Sequence, residues 1–102
     1  MQLLTKELID IFAKVGRQDR DPYIIAKFFN PQWGQTRYAT EYDPEEEIFF
    51  GYVTGMDVDE RGSFSLAELQ SYKGPFGLGI ERDKYFDQIK FYDLFPNLKS
   101  EW

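Results

Sequence analysis

The hydrophobic positions near the start of the chain repeat with the period of an α-helix. The apolar residues of this stretch lie three or four positions apart, and they are Leu4, Leu8, Ile11, Phe12 and Val15. Residues at this spacing share one helix face. Thr5 is a suitable N-cap and Gly16 a suitable C-terminal stop. The pattern therefore predicts a helix with one buried face, followed by a polar loop from residue 17 to residue 22.

Three later segments have the composition of β-strands. Tyr23 to Phe29 is rich in β-branched and aromatic residues. The alternation that follows predicts a second strand with Tyr38, Thr40 and Tyr42 on one face. Ile48 to Thr54 has apolar residues at both odd and even positions, which predicts a central strand covered on both sides.

A short helix is predicted by a capping box. Ser65 stands at the N-cap and Glu68 three positions later, with Phe64 and Leu69 at the two positions of a hydrophobic staple. Gly74 is the predicted C-terminal stop. The acidic segment before Ser65, residues 57–64, is interpreted as a loop.

The last part of the chain gives weaker patterns. Residues 75–79 predict a glycine-rich turn, and residues 80–86 an extended segment. Residues 89–95 are apolar and aromatic, and both helix and strand remain open for them. Together these elements predict an α+β fold, in which a small antiparallel sheet packs with an N-terminal helix and one short capped helix. The length fits a single globular domain over residues 1–102.

The composition excludes several kinds of active site. The chain has no cysteine and no histidine. This removes thiol nucleophiles, Cys/His zinc sites and the usual general base near neutral pH. An enzyme is therefore disfavoured, and we predict no catalytic residues, no metal and no cofactor.

The charge favours some partners over others. Acidic residues outnumber basic ones by 18 to 12, which gives a net charge of −6. Such a surface repels nucleic acid and anionic membranes unless a local basic patch overrides it. The arginines at positions 17 and 20 are interleaved with acidic residues, so no such patch is visible. Direct nucleic-acid binding is disfavoured, and a basic protein partner is favoured.

No export signal and no membrane-spanning segment is evident in the sequence. No apolar run approaches the roughly 20 residues that span a membrane. The first residues also lack the charged and apolar regions of a secretory signal. We expect a cytoplasmic protein without a membrane segment.

One motif resembles a calcium-binding loop. Oxygen-bearing side chains recur from Asp57 to Glu68 at the spacing of an EF-hand loop. Arg61 occupies a ligand position and brings a positive charge. The segment before the loop also predicts strand and turn instead of the entering helix. We therefore interpret this stretch as an acidic loop before a capped helix.

Glu41 and Arg82 form a candidate ligand site. Glu41 alternates with the strand tyrosines, and we interpret it as an inward carboxylate that needs a partner. Arg82 is able to supply a bidentate pair. The alternatives are a structural ion pair, which is the more common outcome for buried charges, and a small ligand-binding or hydrolytic pocket.

The aromatic and acidic residues suggest a protein-binding surface. Aromatic residues make up 19% of the chain. Trp and Tyr are favoured anchors at protein interfaces, and the candidate anchors are Trp33, Tyr38 and Tyr42. The candidate acidic contacts are Glu45, Glu46, Glu47, Asp57, Asp59 and Glu60. These carboxylates flank the third strand at its two ends, and whether they form one patch is left open.

Several blocks of the sequence resemble one known family. In chain order they are Lys27-Phe28-Phe29-Asn30-Pro31, Tyr38 to Pro44 with Phe49-Phe50-Gly51, Gly62 to Leu69, and Gly74-Pro75 through Asp83. Taken in this order they resemble the domain of unknown function 2958 family. Arg37 departs from the resemblance, because an aromatic residue is expected at that position.

The resemblance implies small bacterial proteins carried by plasmids, integrative elements and phages, sometimes beside antirestriction or conjugation genes. It assigns no activity and no catalytic residues. Combined with the acidic, aromatic-rich composition, it leads us to expect a non-enzymatic, protein-binding accessory of a mobile genetic element. An anti-CRISPR or antirestriction inhibitor is one form of such a protein. Its partner would be a host nucleic-acid enzyme or defence nuclease.

Overall fold

The computed structural model describes residues 2–98 and 102 of the chain. In chain order the described elements are α1 (Lys6–Val15), β1 (Tyr23–Ile24), β2 (Ala26–Phe29), β3 (Thr36–Asp43), β4 (Ile48–Thr54), β5 (Glu60–Ser65), α2 (Leu66–Ser71), β6 (Glu81–Arg82), β7 (Ile89–Lys90) and α3 (Phe91–Leu94). Short 3-10 turns lie at Pro75–Gly77 and Pro96–Leu98. The fold is α+β, as the sequence predicted.

One antiparallel sheet organises the molecule. Its five strands lie in the order β5-β4-β3-β2-β6, and β1 pairs separately with β7. Neighbouring strands are antiparallel throughout. Because β2, β3, β4 and β5 follow one another as hairpins, the β2–β3 and β4–β5 connections lie at one end of the sheet. The β3–β4 turn lies at the opposite end.

The N-terminal helix forms as predicted. The Thr5 side chain accepts a hydrogen bond from the N–H of Leu8 at 3.2 Å. Gly16 has a positive φ of 68° and donates its N–H to the carbonyl oxygen of Phe12 at 2.8 Å. This left-handed conformation costs glycine little and ends the helix. Phe12 is buried on the inner face.

The predicted strand from Tyr23 to Phe29 is two strands. Ile25 separates β1 from β2 and donates its N–H to the carbonyl oxygen of Ala39 at 2.8 Å. The two parts then belong to different sheets. A continuous run of β-forming residues does not reveal which partner each residue pairs with, because the partners lie far away in sequence.

A β-bulge overturns the predicted alternation in β3. Ala39 pairs with Gly51 and Glu41 with Phe50, so Thr40 is an extra residue without a partner across the strand. An inserted residue shifts every later side chain to the other face. Tyr38 and Tyr42 therefore lie on opposite faces of the sheet, and the prediction of three hydroxyls on one face is wrong.

The aromatic rings in contact with Tyr38 and with Tyr42 show on which face of the sheet each tyrosine lies. The Tyr38 ring lies 5.2 Å from the Phe95 ring, on the face covered by the C-terminal segment. The Tyr42 ring lies 4.7 Å from the Phe49 ring and 6.0 Å from the Phe12 ring, on the face covered by α1.

The predicted acidic loop before the second helix is largely a strand. Glu60–Ser65 pairs with β4 from Val53 to Ile48. Cross-strand pairing compensates for the weak strand propensity of the glycine and charged residues here. The predicted N-cap is confirmed, since the Ser65 side chain accepts the N–H of Glu68 at 2.9 Å. The helix ends earlier than predicted, because Tyr72 and not Gly74 follows its last residue in extended conformation.

The sheet has an apolar cluster on each face. The first cluster lies under α1 and α2, and its buried residues are Leu3, Leu4, Phe12, Ile25, Ala26, Phe28, Ala39, Phe49, Phe64, Leu66, Leu69 and Ile80. The second lies under the C-terminal segment around Ile24, Tyr52 and Phe91. Since β4 supplies Phe49 to one cluster and Tyr52 to the other, the prediction of a central strand covered on both faces is confirmed.

The C-terminal segment contains both of the structures left open for it. Ile89–Lys90 pairs as a strand with β1, and Phe91–Leu94 is a helical turn. The predicted extended segment over residues 80–86 is a strand only at Glu81–Arg82. Within residues 2–98 and 102, no helix is long and apolar enough to cross a membrane.

Candidate functional site

Three connections meet at one end of the sheet. The β2–β3 turn and the β4–β5 loop touch, because a methyl group on Gly55 would lie 2.5 Å from the carbonyl oxygen of Gly34. The segment after α2 packs on the same turn, because a methyl group on Gly74 would lie 2.5 Å from Oε1 of Gln32. At Gly55 the two backbones approach this closely because glycine leaves the space.

Large apolar side chains are exposed on all three connections. We refer to this group as the apolar end, and its members are Trp33, Met56, Val58, Phe76 and Leu78. Trp33 is 59% exposed, Val58 62% and Phe76 95%. The first belongs to the β2–β3 turn, the second to the β4–β5 loop and the third to the segment after α2. Large apolar side chains distant in sequence are therefore exposed on connections that approach one another at this end of the sheet.

Local hydrogen bonds fix the turn that presents Trp33. Oδ1 of Asn30 accepts the N–H of Gln32 at 2.9 Å. The N–H of Asn30 itself bonds the carbonyl oxygen of Gln35 at 2.8 Å. Asparagine commonly stabilises a turn in the way Asn30 does here, by accepting with its side chain the backbone N–H of the residue two positions later. Trp33 therefore projects from a structured turn.

A hydrogen bond between a side chain and the backbone also stabilises the β4–β5 loop. Oδ1 of Asp59 accepts the N–H of Gly55 at 3.1 Å, and Gly55 has a positive φ of 81°. This bond closes the loop and leaves Met56 and Val58 in solvent. Asp59 thus has a structural role in the loop beside its predicted role as an acidic contact.

Phe76 has an unusual backbone for an aromatic residue. Its φ is 65°, in the left-handed region that favours glycine. The segment around it is closed by a hydrogen bond from the N–H of Gly74 to the carbonyl oxygen of Leu78 at 2.8 Å. The ring points away from the molecule instead of packing on it. An exposed aromatic ring on a strained backbone is an arrangement found at binding sites.

The predicted acidic contacts fall into two separate groups. Asp57, Asp59 and Glu60 lie beside the apolar end, whereas residues 45–47 lie in the β3–β4 turn. The seven residues of β4 separate them, a length of roughly 23 Å at the ordinary rise of a strand. The six carboxylates therefore do not form one patch.

The tyrosines predicted as anchors are packed. Burial raises the pKa of Tyr38, and the negative charge of Asp59 raises it further. Burial, followed by the charges of Glu47 and Asp43, raises the pKa of Tyr42. Of the three aromatic anchors predicted from the sequence, the structure places only Trp33 at the apolar end.

A family model described as "Protein of unknown function (DUF2958)" matches residues 3–94. The chain belongs to the DUF2958 family. The match covers most of the chain and confirms the family resemblance seen in the sequence. None of the curated proteins and none of the solved structures compared with the chain matches it.

In this DUF2958 protein Glu41 and Arg82 lie apart. Arg82 pairs with Phe28, which pairs in turn with Arg37. Glu41 therefore lies four residues further along β3 and two strands away, at least about 13 Å from Arg82 at the ordinary rise and spacing of strands. A direct ion pair is not formed at this separation.

The two residues also line different clefts. The Glu41 carboxylate accepts the backbone N–H of Gln18 at 3.0 Å and faces a cleft of about 520 Å³ beside Arg61 and Trp102. Arg82 lines a cleft of about 680 Å³ with Asn30. The structure gives Glu41 the role of fastening the loop after α1 to β3.

Half of the calcium-loop motif, residues 60–65, lies on β5 of this family member. Alternate side chains of a strand point to opposite faces, so its oxygen-bearing residues do not converge on one point. The part of the chain that the structure describes holds no group of three or more residues suited to binding a metal.

Sequence reasoning missed most of the apolar end of this DUF2958 protein. Met56, Val58 and Phe76 were not among the predicted anchors. A usable signal was present, because each stands in a short segment bounded by glycine, proline or aspartate. Such segments form surface turns, and a large apolar residue at the tip of a turn has nothing to pack against.

Proposed function

We propose that the protein acts by binding another protein through its apolar end. The observation that supports this is the gathering of five large exposed apolar side chains from three connections onto one end of the sheet. Large exposed apolar side chains at one end of a small protein often mark an interaction site. Trp33 and Phe76 are the proposed anchors, because aromatic side chains contribute most of the binding energy in many interfaces.

The conformation of Phe76 supports the same proposal. Holding a non-glycine residue in the left-handed region costs about 1–2 kcal/mol. The ring gains no packing on its own molecule in return, since it is 95% exposed. A partner that buries the ring offsets this cost in the complex.

The charge around the apolar end favours a basic partner. Asp57, Asp59 and Glu60 adjoin the exposed apolar side chains, and the whole chain carries a net charge of −6. Complementary charge raises the association rate and selects among partners. We therefore propose a cationic protein surface as the target.

We extend the proposal to the kind of partner. Nucleic-acid enzymes carry basic surfaces, and the family resemblance suggests proteins of mobile genetic elements. A non-enzymatic inhibitor of a cytoplasmic host nuclease, of the anti-CRISPR or antirestriction type, fits both. Because the carboxylates fall into two groups, the proposed mechanism is steric occlusion by the apolar end, with charge guiding the encounter.

The test compares binding by matched variants. Tagged protein is used to capture partners from bacterial lysates that express candidate defence nucleases, and each captured nuclease is purified and its affinity measured by calorimetry. We expect Trp33→Ser combined with Phe76→Ser to weaken the affinity at least about a hundredfold, as for two interface anchors. Tyr23→Ser, at another exposed aromatic position, serves as the control and retains binding.

The two acidic groups provide a second matched pair. We expect Asp57→Asn with Glu60→Gln to slow association, and Glu45→Gln with Glu46→Gln to leave the rate within about twofold. Equal effects of both pairs would show that net charge alone steers the encounter. Unchanged affinity of the Trp33 and Phe76 variant would remove the apolar end as the binding surface.

A further inference from the structure

The outer edge of β5 is long and regular. The strand pairs with β4 over six residues, from Ser65 opposite Ile48 to Glu60 opposite Val53, without a shift in register. No other strand among the described residues pairs with its outer side. The opposite edge of the sheet is β6, which has only two residues. The sheet therefore has one short edge and one long edge.

Among the described residues, the long edge carries the charged side chains of Glu60 and Arg61 but no bulge. Sheet edges are commonly protected by proline, lysine, a bulge or a covering segment. The sequence of β5 is Glu-Arg-Gly-Ser-Phe-Ser, with neither proline nor lysine. Glu60, Arg61 and Ser63 are exposed. Alternate N–H and C=O groups of such a strand point outward and are available to a further strand.

A groove of about 420 Å³ lies beside β5. All five residues from 60 to 64 line it. Arg37 of β3 and Val53 of β4 also line the groove, so it extends from β5 over the face of the sheet. Met56 and Val58 of the apolar end lie in the same groove, and Glu68 of α2 lines it as well.

The groove is lined by both apolar and charged side chains. Met56, Val58 and the buried Phe64 provide the apolar part. The carboxylates of Asp57, Glu60 and Glu68 face the guanidinium groups of only two arginines, at positions 37 and 61. The groove is therefore partly apolar and carries a net negative charge.

Arg37 reduces but does not cancel that negative charge. Its guanidinium lies 5.9 Å from the centre of the Phe64 ring, where cation–π attraction holds it against the floor of the groove. Burial lowers the pKa of Arg37, and the charge of Glu68 opposes this effect. The groove therefore has a charged group on its floor.

We propose that β5 accepts an extended segment of the partner protein as an additional strand, and that this segment alternates apolar and basic residues. Backbone hydrogen bonds to β5 give affinity, as in other cases of strand addition. Because Glu60 and Phe64 share one face of β5, the basic side chains of the added strand lie on that face, near Glu60 and Glu68, and its apolar side chains point to the opposite face. A second copy of this chain is disfavoured, because each copy carries a charge of −6. The inference rests on the proposed protein-binding function and specifies how the partner is bound.

The experiment uses a capped synthetic peptide with the sequence Lys-Val-Arg-Val-Lys-Val as the probe. It is titrated into the isotope-labelled full chain, and backbone amide shifts are followed by two-dimensional NMR. We expect the largest shifts at residues 60–65 and at Val58. Shifts confined to other residues, or no binding at millimolar peptide, would overturn the proposal.

Two N-methylated peptides test the strand geometry. One carries N-methyl groups on its valine amides and the other on its basic-residue amides. Because only alternate amides of an added strand point at its neighbour, one peptide should bind at least about tenfold more weakly and the other nearly as well as the parent. Equal affinities of the two would show that no strand is added, whatever the charge attraction.

A charge-reversed variant and a matched control test the groove. Glu60→Lys should weaken peptide binding about fivefold or more, whereas Glu46→Lys in the distant β3–β4 turn should change it less than twofold. Both substitutions lie at exposed positions, and the amide spectrum checks that each variant is folded. An equal effect of the two would attribute binding to net charge and overturn the assignment to β5.

The remaining outcomes separate this inference from the proposed function. If the Trp33 and Phe76 variant loses its partner while the peptide and Glu60→Lys have no effect, the proposed function stands and the strand addition is wrong. If amide shifts at residues 60–65 depend on protein concentration without peptide, a second copy occupies the edge. That result would also overturn the proposal.

Discussion

At the scale of single residues, Thr40 shows how a polar group stabilises an irregular strand. It is fully buried, and its hydroxyl donates to the carbonyl oxygen of Phe50 at 3.1 Å. Valine at position 40 keeps the shape of the side chain but leaves the Phe50 carbonyl oxygen without this donor. We expect Thr40→Val to lower the free energy of unfolding by about 1–3 kcal/mol, measured by urea denaturation. Thr36→Val, whose hydroxyl makes an exposed 3.4 Å bond, should change it by less than about 0.5 kcal/mol.

Tyr38 and Tyr42 predict a loss of stability at high pH. Burial is the first cause of the raised pKa of each tyrosine. In the unfolded chain tyrosine ionises near pH 10. The stabilising effect is therefore complete below pH 10 and is lost as the pH rises through the folded pKa values, because the unfolded state releases its protons first. The combined Tyr38→Phe and Tyr42→Phe variant should show a smaller decrease in unfolding free energy above pH 10. An identical pH profile for both proteins would contradict this prediction.

At the scale of elements, two glycines that face each other in the sheet should respond in opposite ways to alanine. Gly51 on β4 pairs with Gly62 on β5. A methyl group on Gly51 would lie 1.9 Å from the carbonyl oxygen of Tyr38, whereas nothing lies within 4 Å of one on Gly62. We expect Gly51→Ala to cost at least about 2–3 kcal/mol of unfolding free energy, because backbone atoms must move.

Gly62→Ala is the control for that prediction. It removes backbone freedom from the unfolded chain without a clash, so it should be neutral or stabilise by up to about 1 kcal/mol. Urea denaturation of both variants gives the comparison. A similar loss for the two glycines would indicate that strand propensity, and not the close approach of β3 to β4, accounts for Gly51.

The elements also show which parts of the fold the sequence specifies. The first helix and the start of the second were predicted correctly, because caps and helical spacing are local signals. Strand β5 was missed because Arg61 and Gly62 favour a loop in isolation, and only pairing with β4 makes the segment a strand. The bulge at Thr40 was missed for a similar reason, since an inserted residue is defined by its partner strand.

The candidate site was predictable only in part. Trp33 stands beside glycine in an evident turn, so its exposure could be inferred from the sequence. The contribution of Phe76 could not, because its position beside the β2–β3 turn depends on the path of the chain after α2. The predicted pairing of Glu41 with Arg82 was wrong, because the order of strands separates them. Long-range topology, which short motifs do not encode, decides the position of Phe76 and the separation of Glu41 from Arg82.

At the scale of the whole molecule, one sheet joins two apolar clusters. Neighbouring residues of β3 and β4 point alternately into the cluster under α1 and the cluster under the C-terminal segment. Loss of either cluster would expose one full face of the same strands. Because both clusters depend on the same backbone hydrogen bonds, we expect them to unfold in a single cooperative transition.

Two matched substitutions and two probes test that cooperativity. Phe12 and Phe91 are buried phenylalanines of the first and second cluster. In a Trp33→Phe background the remaining tryptophan, Trp102, reports on the second cluster, since its ring lies 4.9 Å from the Phe91 ring. Far-UV circular dichroism reports on α1. Phe12→Ala and Phe91→Ala should each lower the unfolding free energy by about 3–5 kcal/mol, and both probes should shift together in each variant. If Phe91→Ala moves only the fluorescence transition, the C-terminal segment unfolds on its own, and β3 and β4 are stable when covered on one face alone.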